Sequence, residues 1–182
     1  MRTSIWFRLT LLSLFCSALF LSFIASPLKA QACSISICGT PQSTTPNSFN
    51  VVPINLTSNE SCVDGNDGID IDGCGNQGSG TTFYIVNCKG HILSGEGTNS
   101  GINLLEDNVV IIQNCRITDF QFGVFANEVT RLTIQGGSMF DNSTGGLALC
   151  NTSVYQNFFT TFFSGNPGGD ILNNTATCGA ND

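Results

Sequence analysis

The sequence predicts an all-β protein, a right-handed parallel β-helix (solenoid) of about five to six turns, on three observations. First, four segments share a glycine–apolar–x–apolar core: Gly68-Ile69-Asp70-Ile71, Gly101-Ile102-Asn103-Leu104, Gly123-Val124-Phe125-Ala126 and Gly146-Leu147-Ala148-Leu149. Second, the last three of those glycines are 22 and 23 residues apart, Gly169 follows after another 23, and only the first interval, of 33, breaks the period. Third, helical periodicity is almost missing after residue 32, while Gly, Asn, Thr and Ser surround short runs of β-branched and aromatic residues, a combination that favours short strands and tight turns. A β-sandwich also has many short strands, but it has no reason to repeat itself. A solenoid must, because each turn buries its apolar face only against its neighbours.

Residues 1–32 read as an export signal. Arg2 and Arg8 precede an apolar run from Leu9 to Ile24, and Ala30-Gln31-Ala32 supplies the small-x-small site that a signal peptidase needs. The run is shorter than the roughly 20 residues needed to span a bilayer, and no later segment is long and apolar enough to do so. Cleavage removes three of six basic residues (Arg2, Arg8, Lys29) and none of thirteen acids, which leaves a net charge of −10. Such a chain repels nucleic acid phosphates and anionic lipid, and is compatible with neutral sugars or bound cations. The expected location is therefore extracellular, with a periplasmic or lipid-anchored form, through Cys33 as the first residue after the cut, as the alternative.

The next segment, 33–60, lacks the repeat and holds Pro41, Pro46 and Pro53, so it reads as an irregular extension covering the first turn, with the β-helix proper over 61–182. Within that domain a second element runs in phase with the glycine repeat: Val110-Ile111-Ile112-Gln113-Asn114-Cys115 corresponds to Leu132-Thr133-Ile134-Gln135-Gly136-Gly137, with a fainter copy at Tyr84-Ile85-Val86-Asn87-Cys88. Alternation in Ile69-x-Ile71 and Leu132-x-Ile134 marks strands with one buried face. Polar residues at Asp119, Asp141-Asn142 and Asn166-Pro167 mark the corners. Phe158, Phe159, Phe162 and Phe163 make an aromatic last turn, read as core stacking or as an apolar contact with a partner; with no amphipathic helix at either end, irregular loops cap the solenoid or the chain associates end to end.

The run from Gly101 to Leu172 resembles the repeats of the pectate-lyase-like superfamily of right-handed parallel β-helices. That resemblance implies the fold; the fold hosts lyases, hydrolases, adhesins and carbohydrate-binding proteins alike, so function has to come from a site.

The densest charge is Asp64-Gly65-Asn66-Asp67-Gly68-Ile69-Asp70-Ile71-Asp72. Hard cations take several carboxylate oxygens, so Asp64, Asp67, Asp70 and Asp72 are candidate calcium ligands, although neither the EF-hand spacing nor the calcium-binding nonapeptide fits fully. Resemblance to polygalacturonase-like hydrolases on this fold suggests a catalytic set: Asn66-Asp67-Gly68 stands where those enzymes have N-T-D-G, Gly90-His91 where they have G-H-G, and Arg116-Ile117 where they have R-I-K. On that resemblance Asp67 protonates the leaving oxygen, Asp70 or Asp72 activates water across roughly 6.5–9.5 Å, and His91 completes the set. The D-D pair has no counterpart. Alternation puts Asp70 and Asp72 on the solvent face of one strand, opposite Ile69 and Ile71. A lyase base would have to be Lys89, Arg116 or Arg131, the only cations left after cleavage.

Eight cysteines follow the signal: Cys33, Cys38, Cys62, Cys74, Cys88, Cys115, Cys150 and Cys178. An even number in an exported chain reads as disulfides. Cys88 and Cys115 each follow an Asn at matching repeat positions, and stacked turns bring such residues within bonding range. Local pairs Cys33–Cys38 and Cys62–Cys74, with Cys150–Cys178 left over, complete the expectation.

The sequence thus points first to a non-enzymatic exported β-helix with a surface or carbohydrate-binding role, its partner a polysaccharide or surface glycan. The alternatives are a small polysaccharide hydrolase or lyase using the acids of 64–72, and an adhesive module stacking through its ends.

Overall fold

The computed structural model describes residues 33–43, 50–74, 81–107, 109–158 and 161–173. The expected signal 1–32, Phe159 and Cys178 lie outside the described residues, as does the side chain of Phe158.

A short hairpin, β1 (Ser34–Ile37) and β2 (Thr40–Pro41), comes first. The first coil holds β3 (Val51–Asn55), β4 (Glu60–Ser61) and β5 (Ile69–Asp72), and the second β6 (Phe83–Asn87), β7 (Ile92–Ser94) and β8 (Ser100–Leu105). In the next two coils the first two strands merge, giving β9 (Val109–Thr118) with β10 (Phe122–Asn127), then β11 (Arg131–Phe140) with β12 (Gly145–Cys150). The last coil holds β13 (Tyr155–Phe158), β14 (Phe162–Ser164) and β15 (Ile171–Asn173).

Among the described residues the coils form two stacked walls, a seven-stranded sheet in the order β15-β12-β10-β8-β5-β1-β2 and an eight-stranded sheet built on β13-β11-β9-β6-β3. Every pairing between coils is parallel, so the protein is a β-solenoid, as expected. From the first of these five coils to the last it makes about four turns rather than five to six. The early coils are longer than the repeat: Val52 stacks on Tyr84 after 32 residues and Tyr84 on Val110 after 26, before Val110–Leu132 and Leu132–Tyr155 settle at 22 and 23.

The repeated glycines are explained by the stacking. A Cβ on Gly68 would lie 2.3 Å from the carbonyl oxygen of Gly101, one on Gly101 2.6 Å from that of Gly123, and one on Gly123 2.5 Å from that of Gly146. Each glycine therefore admits the backbone of the coil above it. The series ends one residue off the sequence period. Leu147 pairs with Ile171, which places Asp170, not Gly169, over Gly146. With no described coil above, that position tolerates a side chain.

Between the walls one apolar core runs the length of the solenoid, its rungs filled by Ile69 and Ile71, Ile102 and Leu104, Val124 and Ala126, and Leu147 and Leu149. At one corner Asn142 and Asn166 stack inside it. The Asn142 backbone N–H and Nδ2 both donate to Asn166 Oδ1 at 3.2 Å, and Asn166 Nδ2 donates to the Met139 carbonyl at 3.1 Å. Each buried amide thus satisfies turn backbone groups that would otherwise be orphaned.

The first coil starts at Val51, whose strand already pairs in the eight-stranded sheet. Before it, β1 runs antiparallel to β5, with Ser34 opposite Asp72 and Ile37 opposite Ile69. This direction corrects the expected local disulfides. The observed bonds are Cys33–Cys74 and Cys38–Cys62, separated by 41 and 24 residues, because an antiparallel strand places its first residue beside the end of β5 and its last beside the beginning. Cys88–Cys115 forms as expected, with Cα atoms 4.7 Å apart. The register is Asn87 on Gln113, so the asparagines do not stack; Asn114, at φ 51°, bends the strand and delivers Cys115 to its partner. Cys150 is also disulfide-bonded, and the expected partner Cys178 falls outside the described residues.

Candidate functional site

The residues singled out in the sequence sit on the first two coils, where the stacking groups them with residues from the next coil. Asp67 immediately precedes Gly68, and Ser100 immediately precedes Gly101; since the glycines stack, so do these two. The Ser100 backbone N–H donates to Asp67 Oδ1 at 2.7 Å. Two residues further on, Asp70 and Asn103 occupy the solvent-facing x position of the repeat and pair in register. Asn103 Nδ2 donates to Asp70 Oδ1 at 3.0 Å. Asn99, in the left-handed region at φ 54°, closes the group by donating its amide to the Gly65 carbonyl.

Together Asp67, Asn99, Ser100 and Asn103 line an open cleft of about 170 Å³. Its wall is a carboxyl, two amides and a hydroxyl, a set that donates and accepts hydrogen bonds at close quarters. Asp67 is half-buried there. Burial pushes its carboxyl up to about 6, the Ser100 amide pulls it back down, and the neighbouring Asp70 charge adds a smaller push upward. Asp70 is raised as well, by burial first, with the Asn103 amide opposing and Asp72 assisting.

Asp70 and Asp72 are solvent-facing neighbours, with Ile69 and Ile71 fully buried behind them. His91 is not in the cleft lining. It sits at a different corner, before β7, where its N–H donates to the Cys88 carbonyl at 2.8 Å and its own carbonyl accepts from Arg116 N at 3.3 Å. Lys89, Arg116 and Arg131 are exposed and likewise do not line the cleft. Asp64 lies on an exposed turn, its N–H bonded to Glu96 Oε2 at 3.2 Å. Among the described residues no three acidic, His or Cys side chains converge on a point able to hold a metal ion.

The polar face is confined to these coils. Along the same outward column Asp70 and Asn103 give way to Phe125 and Ala148, which are buried in a second apolar cluster with Phe122 and Cys150. The rings of Phe122 and Phe125 lie 5.8 Å apart.

Asn99, Ser100 and Asn103 were not singled out in the sequence, although the repeat contains the signal: aligning Gly101 on Gly68 superposes Ser100 on Asp67 and Asn103 on Asp70. Asp107 gave no such signal. It is 1 % exposed, and the Cys74 backbone amide is the donor its carboxylate faces, at a geometry short of a full hydrogen bond. Burial pushes it up to about 8, the charges of Asp72 and then Asp70 add to this, and the Cys74 backbone amide opposes. Near it the Tyr84 hydroxyl donates to the Cys74 carbonyl at 3.0 Å, so this carboxyl lies beside the clip that holds the N-terminal hairpin.

Three disulfides fit an oxidising compartment. The Cys33 sulfur is one of those bonded and is not free to carry a lipid. Among the described residues no helix is long and apolar enough to cross a membrane. No family model matches the chain, and searches of curated proteins and of solved structures return no match.

Proposed function

We propose that this is an exported β-solenoid that binds a neutral carbohydrate, with the cleft between the first two coils receiving a sugar unit. The observation that carries the reading is the lining of that cleft: Asp67, Asn99, Ser100 and Asn103 present carboxyl, amide and hydroxyl groups within one small depression. Sugar hydroxyls both donate and accept, and such a wall meets them on both counts. The net charge of −10 after the signal argues against anionic polymers, nucleic acids included. The signal-like first 32 residues and the disulfides support an extracellular location, and the repeat supports kinship with pectate-lyase-like solenoids.

A second reading, a small glycoside hydrolase, is favoured by one observation. Asp67 is held up to about 6 beside Asp70, the kind of carboxyl that can give a proton to a leaving oxygen near neutral pH. Calcium through Asp67, Asp70 or Asp72 enters either reading only as a condition of the assay, since among the described residues no three such side chains converge on one point.

The two readings predict opposite pH dependences. A binding site uses Asp67 as an ionised acceptor, so affinity should rise as pH increases through about 6. A hydrolase uses it as a proton donor, so turnover should fall over the same interval. The experiment is a panel of plant, algal and microbial polysaccharides, with and without calcium, scored for retention and for released products at several pH values. Retention without products, weakened about tenfold or more by Asp67→Asn or Asn103→Ala, supports binding. Product release abolished by Asp67→Asn supports hydrolysis, and neither retention nor release defeats both.

A further inference from the structure

The two ends of the solenoid are built differently. At the N-terminal end the inward residues of the first coil are sealed: Val52 is 2 % exposed and Ile69 and Ile71 are 0 %. The antiparallel hairpin β1–β2 lies beyond β5, Ile35 packs into the core, and two disulfides clip the hairpin in place. At the other end the corresponding positions are uncovered. Leu132, Met139 and Leu147 of the fourth coil are buried, but the residues stacked on them, Tyr155, Phe163 and Ile171, are not, and Ile171 is 45 % exposed. Among the described residues β13, β14 and β15 each pair with a strand on one side only, as do β3 and β4 at the N-terminal end, but here the outward backbone groups border inward side chains that are not buried. Such an edge over an open apolar core is a template for another chain.

Charge indicates which chain. Eleven of the thirteen acids fall between Glu60 and Asp141, whereas 151–173 carries one charged residue, Asp170. The last coil is thus the part of a strongly acidic molecule through which a second, equally acidic copy can approach.

We propose that the last coil is a self-association surface, and that two copies meet through it, C-terminal end against C-terminal end. The same strands of each copy face each other, so the contact is isologous and closes on itself. At the far end the described inward side chains are already buried, so no matching apolar surface draws a third copy and assembly stops at the dimer. One solenoid end is a small interface, so the dimer should be concentration-dependent.

Sedimentation velocity on the mature protein over a range of concentrations, together with amide exchange at low and high concentration, tests this. The expected result is a monomer–dimer equilibrium with nothing larger, and amides of β13, β14 and β15 that exchange more slowly at high concentration while those of β1 do not change. Ile171→Asp should shift the equilibrium to monomer with the circular dichroism of the parent, and Thr40→Asp on the hairpin should leave it unaltered. A monomer at every concentration, with exchange independent of concentration, would overturn the proposal. Species beyond the dimer, or a dimer that survives Ile171→Asp, would overturn it as well.

Discussion

Asp107 is an acid placed where its charge is costly. Removed from water and opposed only weakly by the Cys74 amide, its carboxyl keeps its proton: ionisation is pushed up to about 8 by burial and by Asp72 and Asp70. The unfolded chain releases that proton near the ordinary value of 3.8. Between those two values the folded state holds a proton that the unfolded state lacks, so folding takes up a proton and stability falls as the pH rises. The contribution is complete below about 3.8 and gone once the pH passes about 8. Asp67 and Asp70 shift in the same direction. Thermal unfolding from pH 4 to 9 should therefore show a midpoint that falls toward alkaline pH, and Asp107→Asn should flatten that fall. Equal slopes for the two proteins would mean that Asp107 is paired and charged in the folded state.

The strands depend on two local devices, the stacked glycines and the cross-coil disulfide. At Gly123 an added methyl would meet the Gly146 carbonyl at 2.5 Å and Met139 Cβ at 3.1 Å. The obstacle on one side is backbone, which can yield only by separating the coils. Gly123→Ala should destabilise the protein by about 1–3 kcal/mol, the usual range for overpacking, and urea unfolding would measure it. The Cys88–Cys115 bond closes 27 residues, one long coil. Replacing both by Ser should cost about 2–4 kcal/mol, chiefly by freeing the unfolded chain, with the β content of the folded state unchanged. A peptide map of the unreduced protein that recovers Cys88 as a free thiol would contradict the stacking of these coils.

Across the whole molecule, stability is unevenly distributed. The middle coils are covered on both sides, with Ile102, Leu104, Val124, Leu132 and Ile134 completely buried, while the N-terminal hairpin is held at one end by a short ladder to β5, by Ile35 and by two disulfides. Mild reduction should release the hairpin before the coils. Hydrogen exchange after reduction is expected to show residues 34–41 exchanging freely while β9 to β12 stay protected. Loss of protection throughout would show instead that the hairpin is integral to the fold. The acids are densest on the first coil and thin out toward the last, the polar cleft lies between the first two coils, and the last coil carries one charge, so ligand binding and self-association would occupy opposite ends.

The parallel solenoid was legible in the sequence because a stack of like coils imprints its own period: Gly101, Gly123 and Gly146 recur where backbones must touch, and Ile102-x-Leu104 or Leu132-x-Ile134 recur where side chains fill the core. That period also carried the Cys88–Cys115 bond and the solvent-facing placement of Asp70 and Asp72. What does not repeat could not be read in this way. The direction of β1, and with it Cys33–Cys74 and Cys38–Cys62, is set by how one strand docks across the end of the stack. The separation of His91 from Asp67 follows from β7 lying between their corners. The one-residue slip at Asp170, the burial of Asp107 and the open core at Ile171 all depend on what lies above or beside a residue in space. Periodicity reports contacts between equivalent positions, one coil apart; caps, corners and ends join positions that are not equivalent, and only the folded chain brings those together.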